Sequence, residues 1–433
     1  MIHKLQRLQS EGKRLRVGIV GSGAMGAGVA WQVARTPGME VVFLGDLDEA
    51  ALQRGADATG QTRVPVENPD HPPERRPGEV LTTTDTLALL RHVRIDALVE
   101  CTNSVHEAAE YCLAAIAQPA HVILMNAEVD LMLGSLLAHE AARQGVVVTS
   151  DAGDQHGVLA TMADEVRLWG FTITQAGNMK GFQNRHADAA HARPWAEKQK
   201  GSVIQTVSYT DGTKMNVEQA LIGNYLGLTP LVPGMEGPTC RDLREVLDAF
   251  DFSKYGGQGR VDYTLGVPWP GGGVYLVGHC DDDRQDFLLN YYKVTSRRPY
   301  YLFFRPYHLC HVETPRAIAQ ACLDGRAVMT PPTGRKRNNV YAYAKKDLAP
   351  GTLIPHALGS DEVYGLVDAC EHASTRRHVP LEKLVVSRDD AGVPRHAVVR
   401  RAIARDQPLL LDDLEIADTP YHRLLARQEA LAG

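Results

Sequence analysis

No apolar run in the sequence approaches the about 18 residues that a membrane-crossing helix needs. Basic charge is not in excess either. The 46 Lys and Arg stand against 52 Asp and Glu, a net charge of −6. That removes the electrostatic reason to expect nucleic acid or an anionic membrane as partner. The seven cysteines are scattered and none falls in a CxxC pair. Neither a disulfide framework nor a zinc knuckle is indicated, and a reducing cytoplasm is expected. The first 20 residues lack the apolar core of a signal peptide. Internal repeats and low-complexity tracts are missing as well.

What is present is an alternation of short apolar runs with helical patterns. Leu15–Val20 reads as a strand, Ala24–Arg35 as a helix and 41–45 as the next strand. Runs at 97–101, 122–125 and 146–149 follow, separated by helical segments at 105–116 and 131–144. The runs are nearly continuous in Val, Ile and Leu, as in strands covered on both faces. This is a βαβ series, so the fold class is α/β, a doubly wound parallel Rossmann sheet over 1–150. The polar, proline-rich stretch 55–78 reads as a surface loop, with a lid over the cofactor as the other reading.

Beyond residue 150 the pattern changes. Strand-like runs at 171–175, 202–210 and 273–278 mix with helical ones at 158–169, 216–225 and 315–323. An α+β catalytic domain over 151–335 is expected. After a basic, Pro/Gly-rich linker at 331–339, short strands and turns suggest a small β-rich domain over 336–433 that ends in a helix.

The segment RVGIVGSGAMGAGVA puts Gly21, Gly23 and Gly26 in GxGxxG register, with Ser22, Ala24 and Met25 between them. A strand precedes the triplet, an apolar helix follows, and Asp46 closes the next strand. In that context the glycines serve a tight turn, close approach to a pyrophosphate, and helix–strand packing. The free N–H groups of the helix then hold the diphosphate. A carboxylate at Asp46 suits the adenosine ribose hydroxyls and repels a 2′-phosphate, and Leu47 is no arginine. NAD or NADP is therefore the expected cofactor, with NAD favoured. Alternatively, Asp46 only caps the helix that follows.

Further polar groups collect at expected strand ends. Thr102 and Asn103 of CTNSVHE and Asn126 of MNAEVD are candidate cofactor contacts, with Ser104 a candidate helix cap. Glu128, and Asp154 of DAGDQHG, are candidate general bases or ligands of Mg²⁺ or Mn²⁺. Lys180 of QAGNMKGFQN is the candidate general acid/base, because hydride transfer to a carbonyl leaves an alkoxide that needs a proton. Asn178 is a candidate substrate contact beside it. Asp211 and Glu218 of YTDGTKMNVEQALIGN are candidate catalytic or ligand carboxylates, with turn and cap duty as the plain alternative for Asp211. Arg305 and His308 of FRPYHL suit an anionic substrate group.

Taken together, GSGAMG, CTNSVHE, MNAEVD, DAGDQHG, AGNMKGFQN, DGTKMNVEQALIGN and FRPYHL, followed by the β-rich tail, resemble one oxidoreductase group across essentially the whole chain. That group joins a homoserine-dehydrogenase-like NAD(P)-binding domain to a C-terminal SAF domain. It includes the 1-deoxy-D-xylulose 5-phosphate reductoisomerase-like (DXR-like) enzymes. The resemblance implies a homodimer or higher homo-oligomer, use of NADPH and a divalent metal, and a small phosphorylated substrate. It places Glu128, Asp154 and Lys180 along the active-site cleft, with Asp211 and Glu218 nearby. Two departures stand out. Leu47 replaces the basic residue of an NADPH enzyme, and Ala127 and Glu128 replace the lysine that follows the Asn in homoserine dehydrogenases. The sequence thus supports an NAD(P)-dependent oxidoreductase acting on a small hydroxy or oxo substrate. A metal-dependent reductoisomerase, a homoserine-dehydrogenase-like enzyme and a non-catalytic NAD(P)-binding protein are the alternatives.

Overall fold

The computed structural model describes residues 1–199, 201–268, 272–332 and 334–431. The chain forms two compact units. One comprises Met1–Asp154, Leu309–Gly334 and Arg427–Gly433; the other comprises Gln155–His308 and Arg335–Ala426.

The first unit opens with helix α1 (Ile2–Ser10) and strand β1 (Leu15–Val20). Helix α2 (Ala24–Arg35), β2 (Met39–Gly45), α3 (Glu49–Thr59), β3 (Thr62–Pro65), β4 (Glu79–Thr83) and α4 (Thr86–Leu90) follow. The second half runs β5 (Ala97–Glu100), α5 (His106–Ala117), β6 (His121–Leu124), α6 (Ala127–Gln144) and β7 (Val148–Ser150). The seven strands make one parallel sheet in the order β3-β4-β2-β1-β5-β6-β7. The order reverses at β1, between β2 and β5, so the ligand crevice lies beyond the carboxyl ends of β1 and β5. Helix ends follow their local chemistry. Asp48 accepts the Ala50 amide to start α3, and Gly60, at φ 72°, ends it. Asn126 starts α6 and Gly145, at φ 68°, ends it.

The stretch 55–78 is not simply a loop, since it holds the last turn of α3 and the edge strand β3, paired in parallel with β4. Proline is tolerated at Pro65 because this strand lies at the sheet edge. Residues 309–334 belong to the first unit, although the sequence pattern runs on from the catalytic domain. Their helix Cys310–Asp324 buries Ala317, Ile318 and Ala319 in one core with Val29 and Val33 of α2. That burial decides their allegiance.

The second unit is built on a five-stranded mixed sheet. Its early elements are α7 (Gln155–Leu168), β8 (Thr172–Lys180), α8 (Ala189–Gln199), α9 (Val203–Asp211) and α10 (Thr213–Leu226). Beside β8 lie the parallel strand Arg260–Leu265 and the antiparallel strand Gly273–His279. Residues 202–210, strand-like in sequence, are helical. Ser202 caps α9 by accepting the Gln205 amide, and Val207 is fully buried. The cap and the packing of one helical face override the β propensity of the Val and Thr residues. Helices α7 and α10 pack against the sheet. A cluster of Leu243, Val246, Phe250 and Tyr255 packs with Met179 and Tyr275. The tail is β-rich, as expected. Its strands Asn338–Ala344 and Val363–Ala369 form an antiparallel pair, fastened to α10 where Thr213 Oγ1 and Asn216 Oδ1 accept the Gly365 and Val367 amides.

Candidate functional site

The glycine loop has the geometry its spacing demands. Gly21 sits at φ +87°, which favours glycine, and a Cβ there would lie 2.6 Å from the Cys101 carbonyl carbon. A Cβ on Gly26 would fall 1.7 Å from the Gly21 oxygen, so the first turn of α2 lies directly on the loop. Gly23 differs: nothing in the protein comes within 4 Å of its Cβ position. It faces open space at the N-terminus of α2, where no side chain caps the helix. Unclaimed helix N–H groups beside a residue with no side chain suit a diphosphate. Met25, in the first turn, is 47% exposed.

Asp46 closes the loop from the side. Its Oδ2 accepts the Ser22 amide at 2.6 Å and its Oδ1 accepts the Asp48 amide at 2.9 Å. Leu47 beside it is exposed and brings no charge.

On the other side of β1, Thr102 donates its amide to Glu100 Oε1 at 2.8 Å and accepts the Ser104 amide on Oγ1 at 3.3 Å. Asn103 is exposed. Asn126 is buried and already engaged, since its Oδ1 accepts the Val129 amide at 3.2 Å and its Nδ2 donates to Ser104 O at 2.6 Å. Its observed bonds are a helix cap and a tie between two turns. Ser104 does not cap α5, which has Val105 at its N-cap; its hydroxyl donates to Glu107 instead.

Glu128 lies buried in the first turn of α6, with Oε1 unbonded among the described residues. Asp154 is buried, with the Cys310 thiol 3.9 Å from Oδ1. Asp151 takes three hydrogen bonds, from the Gly153 and Asp154 amides and from Thr314 Oγ1 at 2.8 Å. Burial pushes its carboxyl up to about 7. Glu128 and Asp154 do not fit a shared divalent cation. Among the described residues Glu128 joins no group of three or more His, Cys, Asp and Glu donors. Hard cations of this kind require several oxygen ligands.

The second unit gathers a polar cluster on four elements. Asn178 and Lys180, two apart on β8, share one face of the strand, and Met179 joins the apolar cluster on the other. Asn178 Nδ2 donates to Glu218 Oε2 of α10 at 3.3 Å. Gln155, the first residue of α7, lies among them. In the amide orientation that satisfies its neighbours, its oxygen accepts from Lys180 Nζ at 3.0 Å and its nitrogen donates to Glu218 Oε2 at 3.1 Å. The end that faces Lys180 also meets His308 Nε2 at 3.3 Å. The Lys180 ammonium lies 5.0 Å from the centre of the Tyr209 ring. The Arg305 guanidinium stacks 4.5 Å over Tyr307.

Asp211 stands apart from this cluster. Its Oδ2 accepts from Lys345 Nζ at 2.9 Å and its Oδ1 accepts the Thr213 amide at 2.8 Å. Lys345 also donates to Ala187 O at 2.7 Å and Ser360 O at 2.5 Å. Its three protons are thus spent inside the protein. The pair is a buried structural tie.

Glu100 and Tyr209 were not singled out in the sequence, and Gln155 of DAGDQHG was placed there only at the junction with the second domain. Glu100 is an acid that ends the otherwise apolar strand ALVE, a pattern that could have marked it. Gln155 gains its central place only through folding, and so does Tyr209.

Two family matches agree with this geometry. Residues 21–150 match the NAD binding domain of homoserine dehydrogenase, and residues 153–314 match the catalytic domain of the oxidoreductase DRL. The chain is an NAD(P)-dependent oxidoreductase of the dehydrogenase type. No curated protein matches the sequence. Among solved structures, one described as a probable dehydrogenase from Thermotoga maritima is 13% identical, over 72% of this chain and 90% of that one, with a TM-score of 0.39. GenD2 from gentamicin A biosynthesis, solved with NAD, is 16% identical over 72% and 88% at 0.39. A myo-inositol dehydrogenase from Corynebacterium glutamicum is 10% identical over 72% and 89% at 0.38.

Proposed function

We propose that this dehydrogenase exchanges a hydride between NAD(H) and a hydroxyl or carbonyl carbon of a small anionic substrate, with Lys180 moving the proton. The observation that carries the reading is the setting of Lys180. It is a buried amine at the end of a rigid strand, held by Gln155 and set against the Tyr209 ring. When bound, the nicotinamide supplies or takes up the hydride. The glycine loop and the open face of Gly23 hold the diphosphate, and Asp46 takes the adenosine ribose hydroxyls. Asp46 and the exposed, uncharged Leu47 favour NAD over NADP. Lys180 Nζ gives its proton to the oxygen as charge develops there in reduction, and recovers it in oxidation. Asn178 and Glu218 orient the substrate's hydroxyls, and Arg305 and His308 meet its anionic group.

The test is a screen of hydroxy acids, polyols and sugar phosphates for NAD reduction, followed by Lys180→Met on the best substrate. Loss of a positioned acid/base should lower kcat by about 10²-fold or more while leaving NADH binding intact. Turnover by Lys180→Met within threefold of wild type would refute the role. A chelator should leave activity unchanged; its loss would favour the metal-dependent reductoisomerase instead.

A further inference from the structure

Glu100 is wholly buried at the carboxyl end of β5, next to β1 where the strand order reverses. Two turns leave the sheet edge here. One, 101–105, leads from β5 into α5, and the other, at 125–126, leads from β6 into α6. Glu100 Oε1 accepts the Thr102 amide of the first turn at 2.8 Å. The Asn126 amide of the second turn stands beside the same carboxyl and favours its charged form. Asn126 in turn holds Ser104 O at 2.6 Å. The first turn also walls the glycine loop, because Cys101 and Thr102 backbone atoms lie where a Cβ of Gly21 would fall. The remaining oxygen, Oε2, has no hydrogen-bond partner among the described residues although it is buried. A buried, half-satisfied carboxylate is expensive, so its place here needs a reason beyond stability.

We propose that Glu100 is a positioning residue for the dinucleotide: its carboxyl locks the turn after β5 to the turn after β6, and so sets the wall of the cofactor crevice beside the glycine loop. The inference rests on the dinucleotide reading of that crevice and extends it to a residue outside the glycine motif. Burial pushes the Glu100 carboxyl up to about 7, against the pull of Thr102 and Asn126. The titratable groups that act on it or feel it are Glu128 of α6, Tyr111 and Cys112 of α5, and Cys101 in the turn itself. Burial holds this value up only while the turns are closed over the carboxyl, so the closed arrangement takes up a proton more readily than an opened one does. The lock is therefore firmest with the carboxyl neutral and slackens as pH rises through neutrality.

The test is titration of the full chain with NADH, followed by fluorescence, between pH 5.5 and 8.5. Wild type should bind about fivefold or more tightly at the bottom of that range than at the top. Glu100→Gln keeps the shape and one acceptor but cannot ionise. It should bind at the tight, low-pH level throughout, without the transition. Glu100→Ala removes the acceptor and should bind weakly throughout; the glutamine variant, which preserves the fold, carries the decision. A Glu100→Gln protein that retains the wild-type transition, or binds no more tightly than wild type at high pH, overturns the proposal. Wild type that binds neither NADH nor NADPH would overturn the dinucleotide reading itself, and the proposal with it.

Discussion

The carboxylate of Asp46 accepts the backbone amide of Ser22 at 2.6 Å, so the acid that ends the second strand holds the glycine loop that follows the first. In the proposed reading the same group takes the adenosine ribose hydroxyls. Asp46→Ala should therefore have two effects: looser binding of both dinucleotides and loss of preference for NAD. Charge-assisted bonds of this kind are worth about 1.5–3 kcal/mol, so the NAD/NADP affinity ratio should fall by about tenfold or more. Parallel titrations with the two cofactors measure it. Tighter binding of NADP by wild type would show that the reading of Asp46 is wrong.

Gly23 and Gly26 should respond oppositely to alanine. A methyl group at Gly26 meets the Gly21 oxygen at 1.7 Å, so Gly26→Ala should disturb the loop and lower the melting temperature. At Gly23 the methyl meets no protein atom. Gly23→Ala should fold as wild type and lose cofactor affinity by about tenfold or more, because it occupies the path of the pyrophosphate. Equal melting losses in the two variants would contradict this division.

The Lys345–Asp211 pair should matter to stability and not to chemistry. Both side chains are almost wholly buried. Removing one partner strands the other charge, which costs about 3–5 kcal/mol. Lys345→Met should show that loss in urea unfolding, and adding Asp211→Asn should recover part of it. An unchanged midpoint in the single variant would refute the structural role.

Asp262 yields a prediction about pH. Its Oδ2 accepts from Gln175 Nε2 at 2.8 Å and Tyr255 Oη at 2.9 Å. Burial nevertheless pushes its carboxyl up to about 7. A carboxyl whose folded value lies above its unfolded value binds protons more tightly when folded. Its stabilising contribution is complete below the unfolded value near 3.8 and is lost as pH rises through about 7. The slope is at most about 1.4 kcal/mol per pH unit between those limits. Asp262→Asn should flatten the decline of stability between pH 5 and 7, as read by urea unfolding across roughly that range. An unaltered slope would show that Asp262 does not contribute.

Legibility followed the range of the forces involved. The Rossmann sheet was readable because its central strands are nearly continuous apolar runs and helices such as α3 and α6 carry their own cap and glycine stop. The loop at Gly21, Gly23 and Gly26 was readable for the same reason, with the demands on backbone and approach confined to six residues and a neighbouring strand end. Residues 202–210 misled because β-branched side chains indicate a strand locally, while a serine cap and a buried face made the helix. Ser104 misled because a capping residue type in the right place found Glu107 instead.

The sequence alone determined that this chain folds a dinucleotide-binding sheet, and where its acid and its glycines lie, because those are properties of adjacent residues. Only the tertiary structure decided what the other polar groups do. Asp211 meets Lys345 from 134 positions away, and Gln155 meets His308 from 153 away. Spacing along the chain carries no record of such meetings. Burial then assigned the roles. It spent Asp211 on a lysine, brought Lys180 against Gln155 and Tyr209, and left Glu100 at the sheet edge with one oxygen unmatched.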